Sequence, residues 1–195
     1  MSSKRRKNKC VSADLYATKS SSWNEYLAVG HDLQNNIVTY NKNLETWFAA
    51  ASLKSDISDL AKYLYTQINP DTLHDNKLTK AIVLVHQNQV CFADRLSCEQ
   101  LAWQAHHLSI LKNSTGDTYF IAFDKNGFPL FHNKKIINVN PLADDQIFID
   151  KTGSGYGMSS YMAYIPEQKI GVVILTNKFL GDERIKLGHD ILQNL

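Results

Sequence analysis

Lys151, Thr152 and Gly153 bring an ammonium, a hydroxyl and a residue without a Cβ onto one short, strand-like stretch. An ammonium beside a hydroxyl grips a carboxylate through charge-assisted hydrogen bonding. A bare strand border presents backbone N–H groups that polarise a carbonyl oxygen. Gly153 lets a ligand approach the main chain closely. These residues suit recognition of an acid group next to an activated carbonyl. Three residues alone are a weak signal, and the bland alternative is an ordinary sheet border.

The residues that follow must position this stretch. Tyr161, Ala163 and Ile165 alternate with Ser160, Met162 and Tyr164. Pro166-Glu167-Gln168-Lys169 supplies a turn, and Ile170 to Leu175 is a continuous apolar run. Period-two alternation bounded by turn chemistry predicts a β-hairpin. The continuous run predicts a strand buried on both faces and so central in its sheet.

Upstream, Ser55 is a candidate N-cap, with Asp56 and Asp59 complementing the helix dipole. Ile57, Leu60, Ala61 and Leu64 form one apolar stripe, and Asn69-Pro70 stops the helix. A second helix is expected from about Asp75 to Gln89, capped by Asp75, with Leu78, Ala81, Ile82 and Val85 inward. Leu101, Trp103 and Ala105 read as one face of a strand, with Trp103 in the core. Thr118–Phe123 and Phe128–Phe131 flank Asp124-Lys125-Asn126-Gly127, a hairpin signal. Residues 134–145 read as loop. Asp182 is placed to cap a last helix whose Ile185, Gly188, Ile191 and Leu192 face the sheet. Trp23 to Tyr40 reads as short strand or loop with a turn at Gln34-Asn35-Asn36.

At 195 residues, one domain is the prior. Apolar and charged fractions of 44% and 21% are those of an ordinary globular protein. Net charge is +2, but Lys4, Arg5, Arg6, Lys7 and Lys9 supply +5, which leaves −3 for the rest. The body therefore offers no nucleic-acid face, and residues 1–22 read as a solvated basic and Ser-rich tail. Residues 23–195 form one expected folded unit.

Cys10, Cys91 and Cys98 show no metal spacing; Cys91 and Cys98 are able to pair, but nothing demands it. His106 and His107 are adjacent, so on a strand they point to opposite faces and share no metal. No metal or cofactor is expected. No run of 18 apolar residues suggests a membrane span, and no signal peptide is recognisable.

The match around Lys151 is longer than three residues. Lys-Thr-Gly-Ser, then Ser-Tyr-Met-Ala-Tyr-Ile-Pro-Glu, then Ile-Gly-Val-Val-Ile-Leu-Thr-Asn-Lys keep the same offsets as in one family. The chain resembles the C-terminal part of the class C serine β-lactamases and their penicillin-binding relatives, which carry K-T-G on a strand beside the active-site serine. The resemblance covers roughly residues 23–195. It implies an α+β fold, an antiparallel sheet of about five strands flanked by helices. It implies that Lys151 stabilises the reacting site electrostatically, that Thr152 and Gly153 bind substrate, that the backbone N–H of Ser154 is an oxyanion donor, and that Asn177 contacts substrate. The implied partner is a β-lactam or peptidoglycan-like small molecule, with no cofactor. The family is periplasmic; the chain as given reads as cytoplasmic.

The sequence departs from the family in several places. The family's aromatic wall falls on Ala51, with Ser52 for a glycine, and Leu53-Lys54-Ser55 follows. Lys54 is a candidate substrate-edge residue, although a solvated lysine is the simpler reading. Phe179 replaces a polar contact. Asp150 stands where histidine is common, and is expected to pair with Lys151 or Lys134 and lower the site's positive potential. The family's nucleophile motif S-x-x-K and its Y-x-N lie in an N-terminal half that this chain lacks. No Y-x-N occurs here, and the one S-x-x-K, Ser109 to Lys112, is about the number that fifteen serines and seventeen lysines give by chance. Ser22-Trp23-Asn24 matches the related S-x-N pattern, but in the polar tail. The expectation is a family fragment inactive alone, or a non-catalytic module holding a carboxylate ligand, or a fragment of a D-Ala-D-Ala peptidase or esterase. A missing N-terminal half is the implied partner chain.

Overall fold

The hairpin that dominates the sequence forms as expected. Met158–Ile165 (β10) pairs antiparallel with Ile170–Thr176 (β11), with Ile165 opposite Ile170 across the Pro166–Lys169 turn. Ile147–Gly155 (β9) lies along the other side of β10, so that Thr152 faces Tyr161 and Gly153 faces Ser160. The computed structural model describes residues 27–38, 55–92, 96–112, 122–123, 129–130, 136–137, 142–155 and 157–195. The basic tail, Cys10, Ala51 to Lys54, Lys134 and the Asn-Gly turn fall outside these residues.

Gly30–His31 (β1) and Ile37–Val38 (β2) pair around the Asp32–Asn36 turn, with Asn35 in the left-handed region at φ 66°. Ile57–Ile68 (α1) and Asn76–Val85 (α2) follow. Then come Val90–Phe92 (β3), Ser97–Glu99 (β4), Gln104–His107 (β5) and the single turn Ser109–Lys112 (α3). Ala122–Phe123 (β6) pairs with Pro129–Leu130 (β7), as the flanking runs predict. Ile136–Ile137 (β8) precedes β9, and Glu183–Gln193 (α4) closes the chain.

The main sheet has seven strands rather than about five, in the order β11, β10, β9, β5, β4, β3, β8, all antiparallel. The extra strands are two to four residues long, too short for a period to show. One of them, β8, lies inside the stretch read as loop. Phe148, Tyr161, Ala163, Val172 and Ile174 form one face with Ile185 and Leu192 of α4. Ile147, Ile149, Tyr164, Ala105 and Trp103 form the other with Leu64 of α1. The helices thus lie on opposite faces of an α+β sheet. Cys91 and Cys98 stand opposite one another on β3 and β4 and form a disulfide, which resolves a pairing the spacing left open.

Several local expectations shift. The cap of α1 is Asp56, whose carboxylate accepts from the Asp59 N–H at 2.9 Å; Ser55 lies one residue outside. Asp75 does cap α2, accepting from the Lys77 and Leu78 amides. Asp182 sits at the N-cap of α4 without making a side-chain cap bond. Ile57 and Ala61 are exposed, and α1 buries Leu64 and Gln67 instead. Helix α2 ends at Val85, buries Ile82, and leaves Leu78 and Ala81 exposed. Leu101 also lies outside its strand and is exposed, whereas Trp103 and Ala105 are core. A period identifies a helix or strand, but the neighbour it meets chooses the buried face.

The largest correction concerns β11. Its apolar run is covered on both faces, by α4 over Val172 and Ile174 and by α1 over Gly171, where an added Cβ would stand 2.9 Å from Leu64 Cδ2. Yet the strand is at the end of the sheet and not in its middle. Two-sided burial by helices produces the same sequence pattern as an interior position.

Candidate functional site: the Lys151–Gly155 border

Strand β9 has two halves with different surroundings. Ile147 to Asp150 pair on both sides, with β10 and with β5, whose last partner is Gln104 opposite Asp150. From Lys151 onward the strand pairs only with β10. Its other border is open, and the end of β5 is what opens it. Lys151, Ser154 and Gly155 are exposed, and Thr152 and Gly153 are half-buried. The sequence-predicted residues Lys151, Thr152, Gly153 and Ser154 therefore share one accessible strip of backbone with a cation at its head. Such a strip suits a carboxylate and a polarised carbonyl.

The Lys151 ammonium bonds only its neighbour, the Thr152 carbonyl, at 3.3 Å. Among the described residues, no serine hydroxyl is bonded to it. Ser109 of the chance S-x-x-K sits on α3 with its hydroxyl 2.8 Å from His107 Nδ1, away from this border. Asn177 is committed to β1: its side-chain amide donates to the Val29 carbonyl at 3.3 Å, and its own carbonyl accepts from the His31 N–H. Phe179 lines a recess of about 290 Å³ with Leu33, Val38 and Gly157. Among the described residues, no group of His, Cys, Asp or Glu is arranged to hold a metal.

Asp150 does not pair with Lys151. Adjacent strand residues point to opposite faces, and Asp150 is fully buried on the α4 side. The Tyr161 hydroxyl donates to its Oδ2 at 2.8 Å, and His106 Nε2 lies 3.3 Å from Oδ1. His106 Nδ1 in turn lies 2.9 Å from the Ser97 hydroxyl. This chain of Ser97, His106, Asp150 and Tyr161 crosses four strands beneath the open border and was missed in the sequence. Its signal was parity: Asp150 lies one residue from the exposed Lys151 and two from buried Phe148. Arg184, also unpredicted, is buried at the start of α4, where Nε donates to the Ser160 carbonyl at 3.1 Å and Nη1 to the Gly181 carbonyl. Burial pushes its guanidinium pKa down, opposed by Asp182. It ties α4 to the strand opposite Gly153.

Two histidines make the fold acid-sensitive. Burial lowers the pKa of His189, opposed by Asp150 and Asp190 and reinforced by His106. Burial also lowers that of His86, opposed by its bond to Gln100; its ring nitrogens lie 3.0 Å from Gln67 Oε1 and 3.2 Å from Gln100 Oε1. The unfolded chain takes up these protons near pH 6.5, about the free-imidazole value, while the folded chain resists them until lower pH. Stability is therefore held above that value and lost as pH falls from it through the lower folded values. Urea midpoints should drop between pH 7.5 and 5.5, and His189→Gln should shrink the drop. Equal midpoints for the unmodified chain would contradict this.

The fold and border define a β-lactamase/transpeptidase-like protein. The Beta-lactamase family model matches residues 5–194, and the chain belongs to that family. It is 30% identical over 153 residues to a β-lactamase of Lysobacter lactamgenus, which covers 75% of this chain and 36% of that protein. A Providencia stuartii β-lactamase is 26% identical over 187 residues, covering 92% and 45%. Among solved structures, a class C β-lactamase superposes with a TM-score of 0.67 at 23% identity, covering 90% of this chain and 45% of that one. A D-alanine carboxypeptidase AmpC from Burkholderia cenocepacia gives 0.70 at 21%, covering 90% and 49%. The chain thus spans less than half the length of each of these relatives. No helix among the described residues is long and apolar enough to cross a membrane.

Proposed function

We propose that this chain is the K-T-G-bearing portion of a class C β-lactamase-like serine hydrolase, able to hold the carboxylate of a β-lactam or a peptidoglycan-like peptide and silent in hydrolysis alone. The observation that carries this reading is the open border at Lys151–Gly155, headed by an exposed ammonium. Thr152 and Lys151 contact the carboxylate, and the Ser154 N–H supports a carbonyl oxygen. The attacking hydroxyl is the part without a candidate. Where nucleophile and base act as a unit, losing one member costs about as much as losing the set.

Two measurements test this. The purified chain should hydrolyse a chromogenic cephalosporin no faster than buffer, and a rate that Lys151→Ala abolishes would overturn the claim of silence. Calorimetry should detect penicillin binding that Lys151→Ala weakens about tenfold or more, since a hydrogen bond to a charged group is worth about 1.5–3 kcal/mol. No heat with either penicillin or a D-Ala-D-Ala peptide would remove the carboxylate reading. A peptidase variant of it is favoured by the likeness to the Burkholderia carboxypeptidase, and the D-Ala-D-Ala peptide binding more tightly than penicillin would select it.

A further inference from the structure

Strand β11 is built like an interior strand but stands at the edge. Its residues, Ile170-Gly171-Val172-Val173-Ile174-Leu175-Thr176, include no charge and no proline. All seven pair one-for-one with β10 without a bulge. Among the described residues, no strand lies along its other side. Natural edges are blunted by lysine, proline, bulges or shortness, and β11 uses none of these. With α1 and α4 on its two faces, the unpaired side of its backbone is what remains unsatisfied.

We propose that the free side of β11 accepts a β-strand from the portion of the β-lactamase fold that these 195 residues do not span. The proposal rests on the family reading above for its partner, and on the edge itself for its site. The relatives are more than twice as long as the matched stretch, so such a portion exists in them. Helix placement argues against a second copy of this chain. Helix α1 packs over β11 itself, whereas α4 straddles β10 and β11. Pairing β11 with its own copy would bring two α1 axes to about one strand spacing, ~4.8 Å. Packed helices need about 8–10 Å. The occupant is therefore a strand with no helix over it on the α1 face. Once seated, it makes β11 interior and completes the sheet two strands from Lys151.

The test co-expresses the chain with the part of the Lysobacter lactamgenus β-lactamase lying outside the 153 aligned residues. The two should co-purify one to one, and the β11 amides that exchange freely in the chain alone should slow by about tenfold or more. Leu175→Lys, at a position 40% exposed, should leave the chain folded and abolish co-purification. Failure to co-purify, protection elsewhere with β11 exchanging as before, or β11 protected in a homodimer of the chain alone would each overturn the proposal. Penicillin binding is read separately: its loss with β11 protection intact overturns the carboxylate reading and not this one.

Discussion

Replacing Asp150 with alanine is expected to cost about 3–5 kcal/mol of stability, the range for breaking a buried charged pair by removing one partner. The carboxylate has no solvent exposure, accepts from the Tyr161 hydroxyl and faces His106. Truncation removes the acceptor for one buried donor and the charge facing the other, and leaves a void between β9 and α4. Asp150→Asn keeps an oxygen for Tyr161 and should cost clearly less. Urea denaturation of both variants measures the difference. If Asp150→Ala costs under about 1 kcal/mol, the size of a surface pair, the buried chain contributes nothing to holding β9. Asp150 is the residue directly before Lys151, so its anchoring also sets how rigidly the open border is presented. The alanine variant should lose penicillin heat even under conditions where it remains folded.

Gly188→Ala is the second large effect, and two magnitudes of opposite sign decide it. Alanine in a helix interior is favoured over glycine by about 1 kcal/mol. Here the new methyl would stand 2.3 Å from Tyr161 Cε1 and 2.5 Å from Cδ1. Tyr161 cannot yield, because it is fully buried and its hydroxyl is tied to Asp150. Overpacking of this kind costs about 1–3 kcal/mol, so the net change should be destabilising, and Gly188→Leu should release α4 from the sheet. A rise in melting temperature for Gly188→Ala would mean that the helix does not sit this close. Because both substitutions act on Tyr161, Gly188→Ala combined with Asp150→Asn should be non-additive.

Much of this architecture was legible before any coordinates. The β10–β11 hairpin, the Asp75 cap, the Asn69-Pro70 stop, the closing helix and the family all rest on residues within a few positions of one another. Local dihedral preferences and one-dimensional periods carry that information. Long-range partnership was not legible. Continuous apolar β11 read as central because helices on both faces and strands on both sides leave the same hydrophobic trace. Cys91 and Cys98 read as optional partners because only the β3–β4 register puts them opposite. Asp150 read as a counter-ion for Lys151 because adjacency along the chain was taken for adjacency in space, when strand parity sends them to opposite faces. The chemistry-bearing residues from Lys151 to Ser154 were therefore visible in one dimension. Their accessibility, and the buried Ser97–His106–Asp150–Tyr161 support beneath them, came from where β5 ends and where α4 lands. Those are contacts between residues up to about ninety positions apart, which no local period encodes.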